Sequence, residues 1–199
     1  MNRRLIVVSL VTVITGMFQI PAHAQQILLS SVPFIEIVQP EWGYLYDAAF
    51  SPDGQHIAVA AGTGLWLLDA HLQILNQLQG HIGSVYSVSW NTAGTLLATG
   101  GEDHTIRLWD MEDTSPTYLS AVQILHDTGP VYFVAWSPDE ASHQIATRTI
   151  THRLPSSDSL FIETAVRVWN VLTGRVERTL GSLADGSTEV AWSPDGVLL

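Results

Sequence analysis

Four similar blocks punctuate this chain: AFSPDG ending at Gly54, SWNTAG at Gly94, AWSPDE at Glu140 and AWSPDG at Gly196. Their aromatic anchors, Phe50, Trp90, Trp136 and Trp192, stand 40, 46 and 56 residues apart. A period near forty constrains the fold more than any local pattern does, because each unit must bury its apolar face against the next. The Ser-Pro-Asp-Gly piece is a turn for identifiable reasons. Pro presets φ, Asp bonds back to nearby amides, and Gly accepts positive φ.

Short apolar runs flank each turn. The first block offers strands at Asp47 to Phe50, Ile57 to Ala61 and Leu65 to Leu68; the second at Val85 to Trp90, Leu96 to Gly100 and Ile106 to Trp109. The third offers Val131 to Trp136, Gln144 to Thr147 and Val166 to Trp169. A fourth strand is expected after each closing dipeptide, at Gln73 to Leu78, Ala121 to Leu125 and Arg175 to Leu180. Helical periodicity is absent past the first two dozen residues. Evenly spaced short strands with Gly-rich turns indicate an all-β sandwich, barrel or propeller.

The second block, with Gly80-His81 near its start and Trp109-Asp110 at its end, resembles a WD40-repeat (WD-repeat) β-propeller unit. The resemblance implies four-stranded blades arranged radially, and a structural side-chain network that falls on His81, Thr99, Asp103 and Trp109. An imidazole held between a hydroxyl and a carboxylate satisfies buried polar groups and locks a blade. These four are therefore expected to be structural rather than catalytic. The other blocks depart from the pattern. Glu41, Val59, Gly62 and Leu68 occupy the four places in the first block, and Asp127, Thr147, Glu163 and Trp169 in the third.

The resemblance covers about three and a half blades, residues 45–199, behind a lead-in at 25–44 whose Phe34 to Val38 would serve as a ring-closing strand. Propellers need at least four blades to leave few open edges. The expectation is thus an N-terminal fragment of a longer protein, with assembly of several chains through open blade edges as the rival.

Arg3 and Arg4, an apolar run from Leu5 to Phe18 and Ala22-His23-Ala24 follow the order of a secretory signal peptide, residues 1–24. The run is shorter than the roughly 20 residues of a spanning helix. A secreted or periplasmic, prokaryote-like member is expected, without membrane insertion once the signal is cleaved. The net charge of -11, with eight Arg and no Lys, argues against nucleic acid as a partner. Absence of Cys removes disulfides, thiolate metal sites and Cys nucleophiles together. No phosphate loop, zinc pair or nucleophile elbow occurs, so no catalytic residue, cofactor or metal site is assigned.

One irregularity stands out. From Trp136 to Trp169 the third block runs 33 residues, against 19 from Trp90 to Trp109. Two 11-residue runs, Gln144 to Leu154 and Ser159 to Trp169, flank Pro155-Ser156-Ser157-Asp158 and suggest a projecting hairpin. Its residues Arg148, His152, Arg153, Ser157, Asp158 and Phe161 are the candidate partner-binding set. The expected function is a secreted, non-catalytic protein-interaction scaffold. The alternative, a propeller enzyme or carbohydrate-binding protein, would need acidic or aromatic residues at the channel ends of the first strands, where Asp47, Ser84 and Gly129-Pro130 offer little. Trp42 and Trp66, outside the usual Trp positions, are expected to fill core, with a surface contact as the alternative.

Overall fold

The computed structural model describes residues 42–153, 161–183 and 190–196. The signal segment, the lead-in strand at Phe34 to Val38 and the residues after Gly196 lie outside them. Twelve strands form three four-stranded antiparallel sheets, each in sequence order. Blade 1 holds β1 (Leu45–Phe50), β2 (His56–Ala61), β3 (Gly64–Asp69) and β4 (Ile74–Leu78). Blade 2 holds β5 (Val85–Trp90), β6 (Leu96–Gly101), β7 (Thr105–Asp110) and β8 (Ala121–His126). Blade 3 holds β9 (Val131–Trp136), β10 (Gln144–Arg153), β11 (Phe161–Asn170) and β12 (Arg175–Leu183). Every strand expected from the sequence in these blades is present within a few residues.

The turns work as their residues dictate. Gly54, Gly94 and Gly196 each take φ near +70° and donate to the carbonyl three residues back. Asp53 accepts from Ser51 Oγ and the Gln55 amide, closing the Pro-Asp turn. The third block has Glu140 where the others have Gly, and a side chain there makes positive φ costly. The chain instead inserts a 3₁₀ turn, Glu140–Ser142, and defers the left-handed residue to His143 at φ 49°.

The core lies between blades. Leu65, Leu67, Val85, Val88, Leu97 and Trp109 close the first junction. Ile106, Leu108, Val131, Val134, Ile145 and Trp169 close the second. Innermost strands are also stitched by polar bonds. Asp47 Oδ2 accepts from Ser87 Oγ at 2.9 Å and from the Val88 amide at 3.0 Å, and Ser87 Oγ accepts from the Val134 amide at 3.2 Å. Asp47 is thereby committed to joining blades. The indole of Trp90 donates to the Ala49 carbonyl at 3.1 Å, and that of Trp192 to Ala135 at the same distance. Trp192 thus seats the fourth block on blade 3 as Trp90 seats blade 2 on blade 1.

Candidate functional site

Blade 2 brings the four signature residues together. Trp109 Nε1 donates to Thr99 Oγ1 at 2.9 Å, and Thr99 Oγ1 lies 2.7 Å from His81 Nε2. His81 Nδ1 meets Asp103 Oδ1 at 2.9 Å, which fits a neutral imidazole with its proton on Nδ1. Gly101 makes the room, since a Cβ there would stand 2.5 Å from His81 Nδ1. Burial pushes His81 below its ordinary range, against the pull of Asp103. Burial alone would raise the Asp103 carboxyl, but the Ile82 amide, the Thr105 hydroxyl and His81 bring it down to about 2. Each of the four side chains is held by another, an arrangement that locks the blade.

Blade 3 solves the same problem with the charges exchanged. Asp127 stands where blade 2 has His81, and Trp169 Nε1 again donates to a threonine, Thr147, at 3.0 Å. Thr147 Oγ1 lies 3.4 Å from Asp127 Oδ2. The counterion is Arg167, whose Nη1 reaches Asp127 Oδ1 at 2.5 Å and Thr149 Oγ1 at 2.8 Å. Thr149 occupies the register place of Gly101, so the volume an imidazole would take is filled by a hydroxyl and a guanidinium. Glu163, matched by sequence to Asp103, lies instead within β11 opposite Thr151. The hairpin has carried that position out of the turn.

Blade 1 has neither network. Val59 and Leu68 take the Thr and Trp places and are buried beside Trp42, Ile57 and Ala61. Trp42 is 2% exposed and packs 5.7 Å from the half-buried Trp66 ring. Thr63 Oγ1 accepts from the Trp66 indole at 3.3 Å. An aromatic pair here replaces a polar relay.

The stretched copy forms a hairpin. β10 and β11 pair in unbroken register from Gln144–Asn170 to Arg153–Phe161, while β9 stops at Thr149. Residues 150–153 and 161–164 therefore continue as a ribbon past the innermost strand. Arg148 is half-buried, and His152, Arg153 and Phe161 fall on the ribbon. Ser157 and Asp158 lie outside the described residues. Thr147 and Thr149 point into the blade and are fully buried.

On the same end of the sheets is a feature the sequence reasoning missed. Each innermost strand carries a bulge, and the extra residue is a tyrosine each time: Tyr46, Tyr86 and Tyr132. A bulge re-aims one side chain without unpairing the strand. Tyr86 stacks on Tyr132 with ring centres 4.6 Å apart, and Tyr46 meets Tyr86 edge-on at 4.9 Å. Tyr44, 74% exposed, continues the row. Burial raises the Tyr86 phenol, with Glu102 adding to the shift. The signal was legible as Leu45-Tyr46, Val85-Tyr86 and Val131-Tyr132, spaced like the aromatic anchors. It was obscured because Tyr86 also fits simple strand alternation.

Residues 72–110 match the WD domain, G-beta repeat. The architecture agrees with it. The chain superimposes on the RRP9 WD40 repeats with TM-score 0.56 and 18% identity, over 73% of this chain and 42% of that one. The Cps50 (Swd1) β-propeller domain of Myceliophteria thermophila gives TM-score 0.50 and 17% identity, over 77% of this chain and 61% of that one. The fold is therefore that of WD40 β-propeller blades. In sequence, the chain is 29% identical to THO complex subunit 3 of Arabidopsis thaliana over 120 residues, 60% of this chain and 34% of the relative. Against WD repeat-containing protein slp1 of Schizosaccharomyces pombe it is 28% identical over 60% of this chain and 21% of the relative. A 43-residue stretch is 49% identical to the probable cytosolic iron-sulfur protein assembly protein Ciao1 of Anopheles gambiae, 22% of this chain and 13% of the relative. The chain spans about a third or less of the length of these relatives, which come from a plant, a yeast and a mosquito. WD40-repeat proteins generally act as protein-interaction scaffolds. Among the described residues no cluster of His, Asp or Glu is arranged to hold a metal, and no helix is long and apolar enough to cross a membrane.

Proposed function

We propose that this chain is a non-catalytic scaffold whose protein partner docks on the end of the blades carrying the tyrosine row and the β10–β11 ribbon. The observation that carries the reading is the contiguous row of exposed Tyr44 and Tyr46 beside Tyr86 and Tyr132. Tyrosines offer large amphipathic area at low entropic cost and are enriched among residues that dominate binding. The locked networks of blades 2 and 3 support the reading, because a rigid platform loses little freedom on association. The N-terminal order of Arg pair, apolar run and Ala-His-Ala supports export of the mature chain to a secreted or periplasmic location.

The test has two arms. A purified partner, once captured by the full chain, is titrated against wild type and Tyr46→Ala/Tyr86→Ala. A loss of affinity of at least about thirtyfold, near 2 kcal/mol, is expected for removal of two aromatic anchors. Unchanged affinity with unchanged melting temperature would move the interface elsewhere. For export, the N-terminal residue of the fractionated protein should be Gln25, and an intact Met1 would refute cleavage.

A further inference from the structure

The opposite end of the first blade junction holds a cleft of about 220 Å³ between the β1–β2 turn of blade 1 and the β7–β8 connection of blade 2. Its walls are Trp90, Met111 and Tyr118, and its rim carries Asp53, Glu112 and Asp113. The Trp90 ring is fixed by its indole bond to the Ala49 carbonyl, and Asp53 is fixed by Ser51 and Gln55. Among the described residues the ion pairs join His81 or Arg107 to Asp103 and Arg167 to Asp127, so none engages the three rim carboxylates. All three are exposed, while Trp90, Met111 and Tyr118 are half-buried.

We infer that this interblade cleft receives an arginine side chain from a partner polypeptide. Charge complementarity selects the occupant, since three carboxylates that none of the ion pairs among the described residues engages line the same cleft as an aromatic and thioether wall. A guanidinium is planar and weakly hydrated; it stacks on indole or phenol faces while its N–H groups fork onto carboxylates. An ammonium fits the charge but not the flat walls. An anion meets repulsion. This cleft lies at the end of the sheets opposite the tyrosine row, so it constitutes a second contact independent of that surface.

The experiment uses the full chain and a blocked Gly-Arg-Gly tripeptide, at pH 7.5. The readout is the Trp90 indole N–H resonance, assigned by its disappearance in Trp90→Phe. The arginine peptide should shift that resonance, the lysine peptide should do so more weakly, and the citrulline isostere should not. Neutralising the rim with Glu112→Gln/Asp113→Asn should weaken binding about tenfold, as expected for losing charge-assisted contacts around a cation–π site. Both residues are exposed, so the melting temperature of this variant should match wild type. Tyr46→Ala/Tyr86→Ala should bind the tripeptide as wild type does, whatever its effect on the partner at the other end. Equal binding of arginine and citrulline peptides, undiminished binding by the neutralised rim, or no shift at Trp90 would each overturn the proposal.

Discussion

Blades 2 and 3 present one architecture with two electrostatic solutions. Both start from an indole donating to a threonine hydroxyl, Trp109 to Thr99 and Trp169 to Thr147. In blade 2 the hydroxyl faces a neutral imidazole backed by a carboxylate, with Arg107 standing off at 3.7 Å. In blade 3 it faces a carboxylate directly, and Arg167 closes to 2.5 Å. The comparison teaches that the position preceding the innermost strand needs a hydrogen-bond acceptor, and that histidine is one way to supply it. When the acceptor is already anionic, the cation must move in.

The sharpest way to break this comparison is to remove each arginine. Arg167→Ala leaves Asp127, whose side chain is 1% exposed, without a counterion. A loss of about 3 kcal/mol is expected in urea unfolding at neutral pH, because an unpaired buried charge is the costly outcome. Arg107→Ala should cost less than about 1 kcal/mol, since its contact with Asp103 is long. Equal losses would mean the two arginines have equivalent roles.

Next in size is the room left for the imidazole. Gly101→Ala forces a methyl against His81 and should cost about 2 kcal/mol, the usual price of overpacking. Blade 1 has alanine at that register place, Ala61, and no histidine beside it. His81→Ala/Gly101→Ala should therefore be no less stable than His81→Ala, and a further loss on adding the methyl would contradict the steric account.

A smaller effect is expected where the blades agree. Trp109→Phe and Trp169→Phe each delete one buried N–H donor and should each cost about 1–2 kcal/mol by thermal or urea unfolding. A difference greater than about 1 kcal/mol between them would show that the shared indole–threonine step is not equivalent in the two settings.

The last distinction is in pH. His81 and Asp103 both have folded-state values below their ordinary 6.5 and 3.8. Stability from a depressed group is complete above the unfolded value and is lost as pH falls through the folded one. Blade 2 should thus weaken first below about pH 6.5, as His81 charges, and again toward pH 2, as Asp103 is protonated. His81→Gln should flatten the dependence of urea midpoint on pH between 7 and 5, while Asp127→Asn should leave that slope in place.

Much of this was legible in the primary structure. Turn chemistry and alternation place all twelve strands, since each turn closes with its own residues and each strand contacts its neighbours in sequence. The His81 relay was located through the resemblance of its block to a WD40 repeat, which implies a network at those four places. Blade 3 was harder: Glu163 keeps its distance of four from Arg167, as Asp103 does from Arg107, but the lengthened hairpin moves it out of the turn. Spacing along a strand cannot reveal that a turn has migrated. The tyrosine row was hidden for another reason, because a bulge shifts one residue's direction while leaving the apolar pattern on either side intact.

The unbroken register of β10 with β11 has a mechanical consequence. A ribbon pulled apart at its tip opens one residue pair after another, so it offers little resistance until the separation reaches something stronger than a single pair. Opening from Arg153–Phe161 inward, the fork arrives at Thr149–Ala165 and then at Arg167, where the guanidinium ties Thr149 on β10 to Asp127 ahead of β9. Load taken at the tip would thus be stopped at that clasp, and the blade beneath would be insulated from strain on its own projection.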